Sequence, residues 1–180
     1  VPLMPFERAW RTAYTTPMIQ IPSRGGTYIL VIHLARPACI RVGALGERPF
    51  AAGHYLYVGS ALGGLSVRLR RHLRREKRMR WHIDYLLAQA RVTAVVYRPG
   101  TERLECRWAM QVATMPGVHA CTAPFGASDC GCRTHLFYSP AAPNFDLLRA
   151  VLAEELTIVP LAPEAGADTG PDVGAHVLTE

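Results

Sequence analysis

The chain has 180 residues, 49% of them hydrophobic, enough for one domain with a buried core. No apolar run reaches the roughly 18 residues a membrane span needs, and no charged segment leads into a long apolar stretch as in a secretory signal, so neither a membrane partner nor export is expected. The formal net charge of +6 is concentrated in one place: residues 66–80 carry eight Lys or Arg residues against Glu76, which leaves the rest of the chain near neutral.

Residues 1–24 are punctuated by Pro2, Pro5, Pro17 and Pro22 and read as an N-terminal extension, with Met18 a candidate start. Gly25-Gly26 then releases the run Thr27 to Leu34, rich in β-branched and aromatic residues and apolar almost throughout. That pattern predicts a central strand covered on both faces. Short strands are expected over residues 39–43 and 48–50, and a stronger one over residues 54–58. The turn from Gly59 to Gly64 is glycine-rich and opens a basic helix expected to run from about Leu65 to Arg78. Leu65, Leu69 and Leu73 form its apolar ridge, with Arg68 and His72 at the border of the buried face. A second helix follows from Trp81, then a strand over residues 92–97. A third helix is expected from Glu102 to about Thr114, capped by Thr101. Residues 118–138 read as short strands and loops. A C-terminal amphipathic helix spans about residues 143–155, and residues 157–180 read as a disordered acidic tail.

The basic run is the electrostatic footprint of a phosphate-backbone binder. A solvated helix face is the alternative, but so many like charges at i,i+4 repel one another unless a polyanion screens them. Arg70, Arg71, Arg74, Arg75, Lys77, Arg78 and Arg80 are expected to hold the backbone, with Gly59 and Ser60 bringing backbone N–H groups near a phosphodiester. Glu105 falls among Leu104, Trp108, Ala109 and Val112 on the third helix. A carboxylate on an apolar stripe is costly unless it is paired or binds a cation. It is either in an ion pair with an arginine or a ligand for a hard cation, Mg²⁺ or Mn²⁺. Tyr28 and Tyr57 lie in strands that, if paired, present both hydroxyls to one place.

Five cysteines without a secretory signal argue for a reducing, cytoplasmic compartment rather than a disulfide framework. Cys121, Cys130, Cys132 and His135 offer donors for a Zn²⁺ site, though Cys-x-Cys is tighter than the usual zinc knuckle. Buried thiols around a local turn are the alternative, and Cys106 shows no partner in the sequence.

Taken in order, Gly26-Thr27-Tyr28, Tyr57-Val58-Gly59, Arg68, His72 and Glu105 resemble the motif set of the GIY-YIG nucleases. Trp81-His82-Ile83-Asp84-Tyr85-Leu86, Leu104-Glu105-Cys106 and residues 125–137 make the chain most similar to a small branch of stand-alone or repair-enzyme-fused proteins of unknown function. The resemblance covers residues 25 to about 138. It departs from the family at Thr27 and Val58, where isoleucine is usual, and in having only one asparagine, Asn144, late in the chain. It implies an α+β fold, a small antiparallel (mixed) sheet flanked by helices, in a nuclease-like domain over residues 25–156. It also implies single-metal hydrolysis of phosphodiesters, in DNA rather than RNA, with a link to repair. Glu105 would hold Mg²⁺ or Mn²⁺, Tyr57 would act as general base with Tyr28 in its hydrogen-bond network, and Arg68 would stabilise charge on the phosphate. His72 would assist proton transfer or contact the phosphate. Two other readings are a nucleic-acid-binding module without catalysis and a zinc-stabilised interaction domain.

Overall fold

The longest apolar run becomes the middle strand of the molecule. A computed structural model describes residues 20–121 and 124–161. Strand β1 (Gly26–Leu34) is buried along nearly its whole length. It pairs antiparallel with β4 (Gly53–Ser60) on one side and β5 (Arg91–Pro99) on the other. Outward from these lie β7 (Leu136–Ser139) and the short β6 (His119–Ala120) beyond β4, and β8 (Thr157–Pro160) beyond β5. Every pairing in this six-stranded sheet is antiparallel, so no mixed pairing occurs among the described residues. β2 (Ala38–Arg41) and β3 (Glu47–Phe50) form a separate antiparallel hairpin.

Alternation along β1 and β4 divides the core into two layers. Tyr28, Leu30, Ile32, Tyr55 and Tyr57 face α1 (Leu65–Leu73) and α2 (His82–Leu87), burying Leu65, Leu69, Ile83 and Leu86. Ile29, Val31, Leu56 and Val58 face α3 (Glu105–Val112) and α4 (Phe145–Leu152), burying Trp108, Val112, Leu148 and Leu152. The architecture is α+β, a sheet flanked by helices. No helix among the described residues is long and apolar enough to cross a membrane.

Several boundaries differ from the sequence expectation. The basic helix ends at Leu73, and Arg74 is already extended, with φ −69° and ψ 133°. Continuing to Arg78 would stack Arg70, Arg74 and Arg78 at i,i+4 on one face. Instead Lys77 Nζ folds back to donate to the His72 carbonyl at 2.6 Å and ends the helix. The third helix begins at Glu105, not Glu102; residues 101–104 form the bend before it, where Glu102 pairs with Arg98 at 2.8 Å. Residues 20–24 of the expected extension are tied to the domain: Ile21 is buried, and the carbonyls of Pro22 and Arg24 accept from the N–H groups of Ser66 and Leu65 at the start of α1. Residues 157–160 are strand β8, not tail, because Thr157 to Pro160 complete the ladder of β5. The rest of that tail, residues 162–180, and residues 1–19 of the extension, with Met18, lie outside the described residues.

Candidate active site and adjoining metal cluster

A cleft of about 430 Å³ opens at the C-terminal end of β4, and Tyr28, Tyr57, Ser60, Arg68, Glu105 and Asp129 contribute to its lining. The strand register explains the two tyrosines. Tyr28 stands opposite Gly59 and Leu30 opposite Tyr57, so both phenols rise from the same face as diagonal neighbours. Gly59 is required there: a Cβ at that position would lie 2.5 Å from Tyr28 Oη and 2.6 Å from Cζ. Tyr57 is backed in the same way by Gly126, whose φ of +73° favours glycine and whose added Cβ would lie 2.8 Å from Tyr57 Cε2.

Helix α1 supplies Arg68 and His72 from adjacent turns. Arg68 reaches the cleft with its guanidinium 4.3 Å from the Trp81 ring centroid, a stacking that fixes its direction. His72 does not line the cleft. It is 2% exposed and sits behind Tyr28, its Nε2 2.8 Å from Tyr28 Oη. Burial, then the charges of Lys77, Arg68 and Arg71, lowers its pKa to about 3 despite Asp84. The imidazole is therefore neutral and serves as the hydrogen-bond partner of Tyr28; it has no access to a phosphate. Both phenols are pushed up, chiefly by burial, with Glu105 adding to the rise and Arg68 opposing it.

Glu105 comes from the other face of the sheet. As the first residue of α3 it crosses the end of β4, where Ser60 Oγ donates to its Oε2 at 2.5 Å. Its Oε1 lies 2.9 Å from His135 Nδ1, an ion-pair contact without an aligned hydrogen bond. The side chain against it is thus a histidine, where an arginine was the expected ion-pair partner. Burial works to raise the Glu105 pKa, but His135, Ser60 and Arg68 together hold it below the usual carboxylate range. The group is ionised at neutral pH and 24% exposed toward the cleft. One accessible carboxylate with free lone pairs, in a cleft that Asp129 also lines, fits a hard cation that keeps most of its waters. Ser60, expected as a backbone donor to phosphate, supports this carboxylate through its side-chain hydroxyl. Asn144 is remote from the cleft and caps α4, its side chain accepting from Asp146 and Leu147 N–H.

The basic residues separate into two groups. Arg71 makes a two-point bond to the fully buried Asp84, at 2.9 and 2.8 Å, and its guanidinium lies 3.9 Å from the Trp81 ring centroid. Arg71 and Lys77, expected to hold the backbone, are thus engaged in bonds that hold the chain around the end of α1. Arg70, Arg74, Arg75, Arg78 and Arg80 are exposed. The sequence missed Trp81, the platform on which Arg68 and Arg71 stack and which Arg80 approaches at 5.6 Å.

Beside the cleft, Cys106, Cys130, Cys132 and His135 bring one donor atom each to within 4.8 Å of one another, a cluster that can hold a metal ion. Cys106 takes the place expected for Cys121. Cys121 instead packs against the core next to the sheet, where burial pushes its thiol up to about 12. The cysteines of the cluster are free thiols, and His135 is completely buried.

Comparison with curated proteins finds no match, and comparison with solved structures finds none. Residues 27–156 match the family described as a domain of unknown function, DUF123, a span that includes Tyr28, Tyr57, Arg68, Glu105 and the whole cysteine cluster, and the chain belongs to that family.

Proposed function

We propose that the protein is a divalent-metal-dependent endonuclease of GIY-YIG type that hydrolyses phosphodiester bonds in DNA. The observation that carries this reading is the convergence of Tyr28, Tyr57, Arg68 and Glu105, from β1, β4, α1 and α3, on one cleft. Glu105 would hold Mg²⁺ or Mn²⁺ in the cleft that Asp129 also lines. A bound ion supplies charge stabilisation at a non-bridging phosphoryl oxygen. Arg68, held by Trp81, presents its N–H groups to the same phosphoryl group. Water attacks phosphorus, the bond from phosphorus to the leaving oxygen breaks, and that oxygen takes a proton from solvent.

The proton lost by the water goes to Tyr57, which accepts it only as a phenolate. Burial beside Glu105 keeps that phenol protonated, so activity depends on cationic charge in the cleft, from Arg68 and from a cation at Glu105. Tyr28, hydrogen-bonded to neutral His72, is held in the same network. The exposed Arg70, Arg74, Arg78 and Arg80 would track the strand on either side of the scissile bond. Among the described residues no base-reading element accompanies the cleft, so structure rather than sequence in single-stranded or branched DNA is the proposed preference, in keeping with a repair role in the cytoplasm.

The raised phenol of Tyr57 favours one other reading, a cleft that binds nucleic acid without cutting it. A panel of single-stranded, duplex and branched DNA and of RNA, incubated with Mg²⁺ and Mn²⁺, separates the two. Metal-dependent nicking of DNA supports hydrolysis, and salt-sensitive binding with no cleavage under either metal supports the binding module.

A further inference from the structure

We propose that Cys106, Cys130, Cys132 and His135 bind one Zn²⁺, and that His135 links this ion to Glu105, ligating zinc through Nε2 and donating Nδ1–H to the carboxylate. Three thiols and one imidazole form a soft donor set that selects Zn²⁺ over Mg²⁺ and Mn²⁺. The four donors span 4.8 Å at most. Tetrahedral Zn–S and Zn–N bonds of about 2.3 and 2.1 Å place donors about 3.8 Å apart, so the cluster closes by small side-chain rotations.

The placement of the donors defines what the ion would join. Cys106 is in the first turn of α3, directly after Glu105, whereas Cys130 and Cys132 lie in the irregular loop before β7. That loop also carries Gly126, Ser128 and Asp129 of the cleft wall. Few backbone bonds hold it among the described residues, chiefly His135 N–H to the Phe125 carbonyl at 2.9 Å and Ala127 N–H to the Pro124 carbonyl at 3.3 Å. A Cys₃His zinc centre would tie the loop to α3 and set the width of the cleft.

The orientation of His135 points to the second half of the proposal. Its Nε2 is 3.4 Å from Cys130 Sγ, while its Nδ1 is 2.9 Å from Glu105 Oε1. The ring is fully buried, and a small rotation aligns Nδ1–H with the carboxylate oxygen already at 2.9 Å. An imidazole that ligates a metal through Nε2 carries its proton on Nδ1, and a carboxylate on that proton is the common outer partner of zinc-bound histidine. Glu105 keeps its remaining lone pairs, and Ser60 occupies one position on Oε2. His135 is thus a positioning residue for Glu105. Its bearing on cleavage rests on the hydrolytic reading, but zinc binding does not.

The test begins with elemental analysis of the full-length protein purified under reducing conditions, with no metal added. One zinc per chain is expected, retained in excess Mg²⁺. Replacement with Co²⁺ should give tetrahedral ligand-field bands and thiolate-to-metal charge transfer. Cys106→Ser and Cys132→Ser should each abolish both stoichiometric zinc and the charge-transfer band, while Cys121→Ser should change neither. Glu105→Ala should retain the site but weaken zinc roughly 10–100-fold in a chelator competition. Substoichiometric zinc without a thiolate–Co²⁺ spectrum, or a disulfide between Cys130 and Cys132 in the reduced-purified protein, would overturn the site. Zinc affinity unchanged in Glu105→Ala would overturn the link through His135. Full zinc without DNA cleavage would contradict the nuclease reading and leave the zinc site standing.

Discussion

Tyr28 lies across the backbone of Gly59, the residue it faces in the β1–β4 ladder, so closely that a methyl group on Gly59 would lie 2.5 Å from its hydroxyl. The ring cannot yield easily, because it is 1% exposed and its hydroxyl meets His72 Nε2 at 2.8 Å. Gly59→Ala is therefore expected to destabilise the protein by about 1–3 kcal/mol and to dislodge Tyr28 from His72. Chemical denaturation measures the first effect. If cleavage activity is present, it should fall further than the loss of folded protein accounts for.

The buried His72 makes a pH prediction. Its folded-state pKa of about 3 lies below its ordinary value of 6.5. The unfolded chain thus takes up a proton at His72 that the native state refuses. The stability this group allows is present above about pH 6.5 and is lost as pH falls toward 3, by up to about 1.4 kcal/mol per pH unit. Tyr28, Tyr57 and Trp81 pack around the ring, with Lys77, Arg68, Arg71 and Asp84 as the charged neighbours. Denaturation followed between pH 7 and pH 4 should show a shallower loss for His72→Gln than for wild type. Parallel slopes would contradict the assignment.

Asp84 and the exposed arginines should separate folding from binding. Asp84 is fully buried and accepts from Arg71 and from the N–H groups of Arg80 and Trp81. Replacing it with alanine leaves Arg71 without its partner and is expected to cost about 3–5 kcal/mol. Arg74→Ala and Arg78→Ala remove exposed groups and should change stability by less than about 0.5 kcal/mol. Each should instead weaken DNA binding similarly across sequences and lower the magnitude of the salt slope by about 1. Fluorescence anisotropy over a salt series checks this. Loss of binding with an unchanged slope would mean these arginines do not meet phosphate.

Much of the fold was legible because local pattern and burial agree. The β-branched run at residues 27–34 could satisfy its apolar side chains only as a central strand, and the leucine ridge of α1 needed a sheet to cover it. The basic segment misled because its composition is helical but its charge is not. Repulsion ends the helix at Leu73, and two of its cations, Arg71 and Lys77, are consumed in holding the chain end. Glu105 was visible because a carboxylate on an apolar stripe demands a partner. That partner, His135, is 30 residues further on, and no local spacing signals it. Cys106 escaped for the same reason, since the loop that completes its cluster reaches it only through the tertiary fold. Asn144, noted in the sequence as the single asparagine and late in the chain, proves to cap a helix.

Glu105 and Arg68 are proposed to form a hydrolytic site with Tyr57. Its most direct test is DNA cleavage by wild type, Glu105→Ala and Arg68→Ala in Mg²⁺ and Mn²⁺, with circular dichroism to verify folding and the zinc content of each variant measured. Wild type is expected to cleave in a metal-dependent manner, with a loss of at least about 100-fold in each folded variant. Metal-dependent cleavage that survives both substitutions would contradict the proposal.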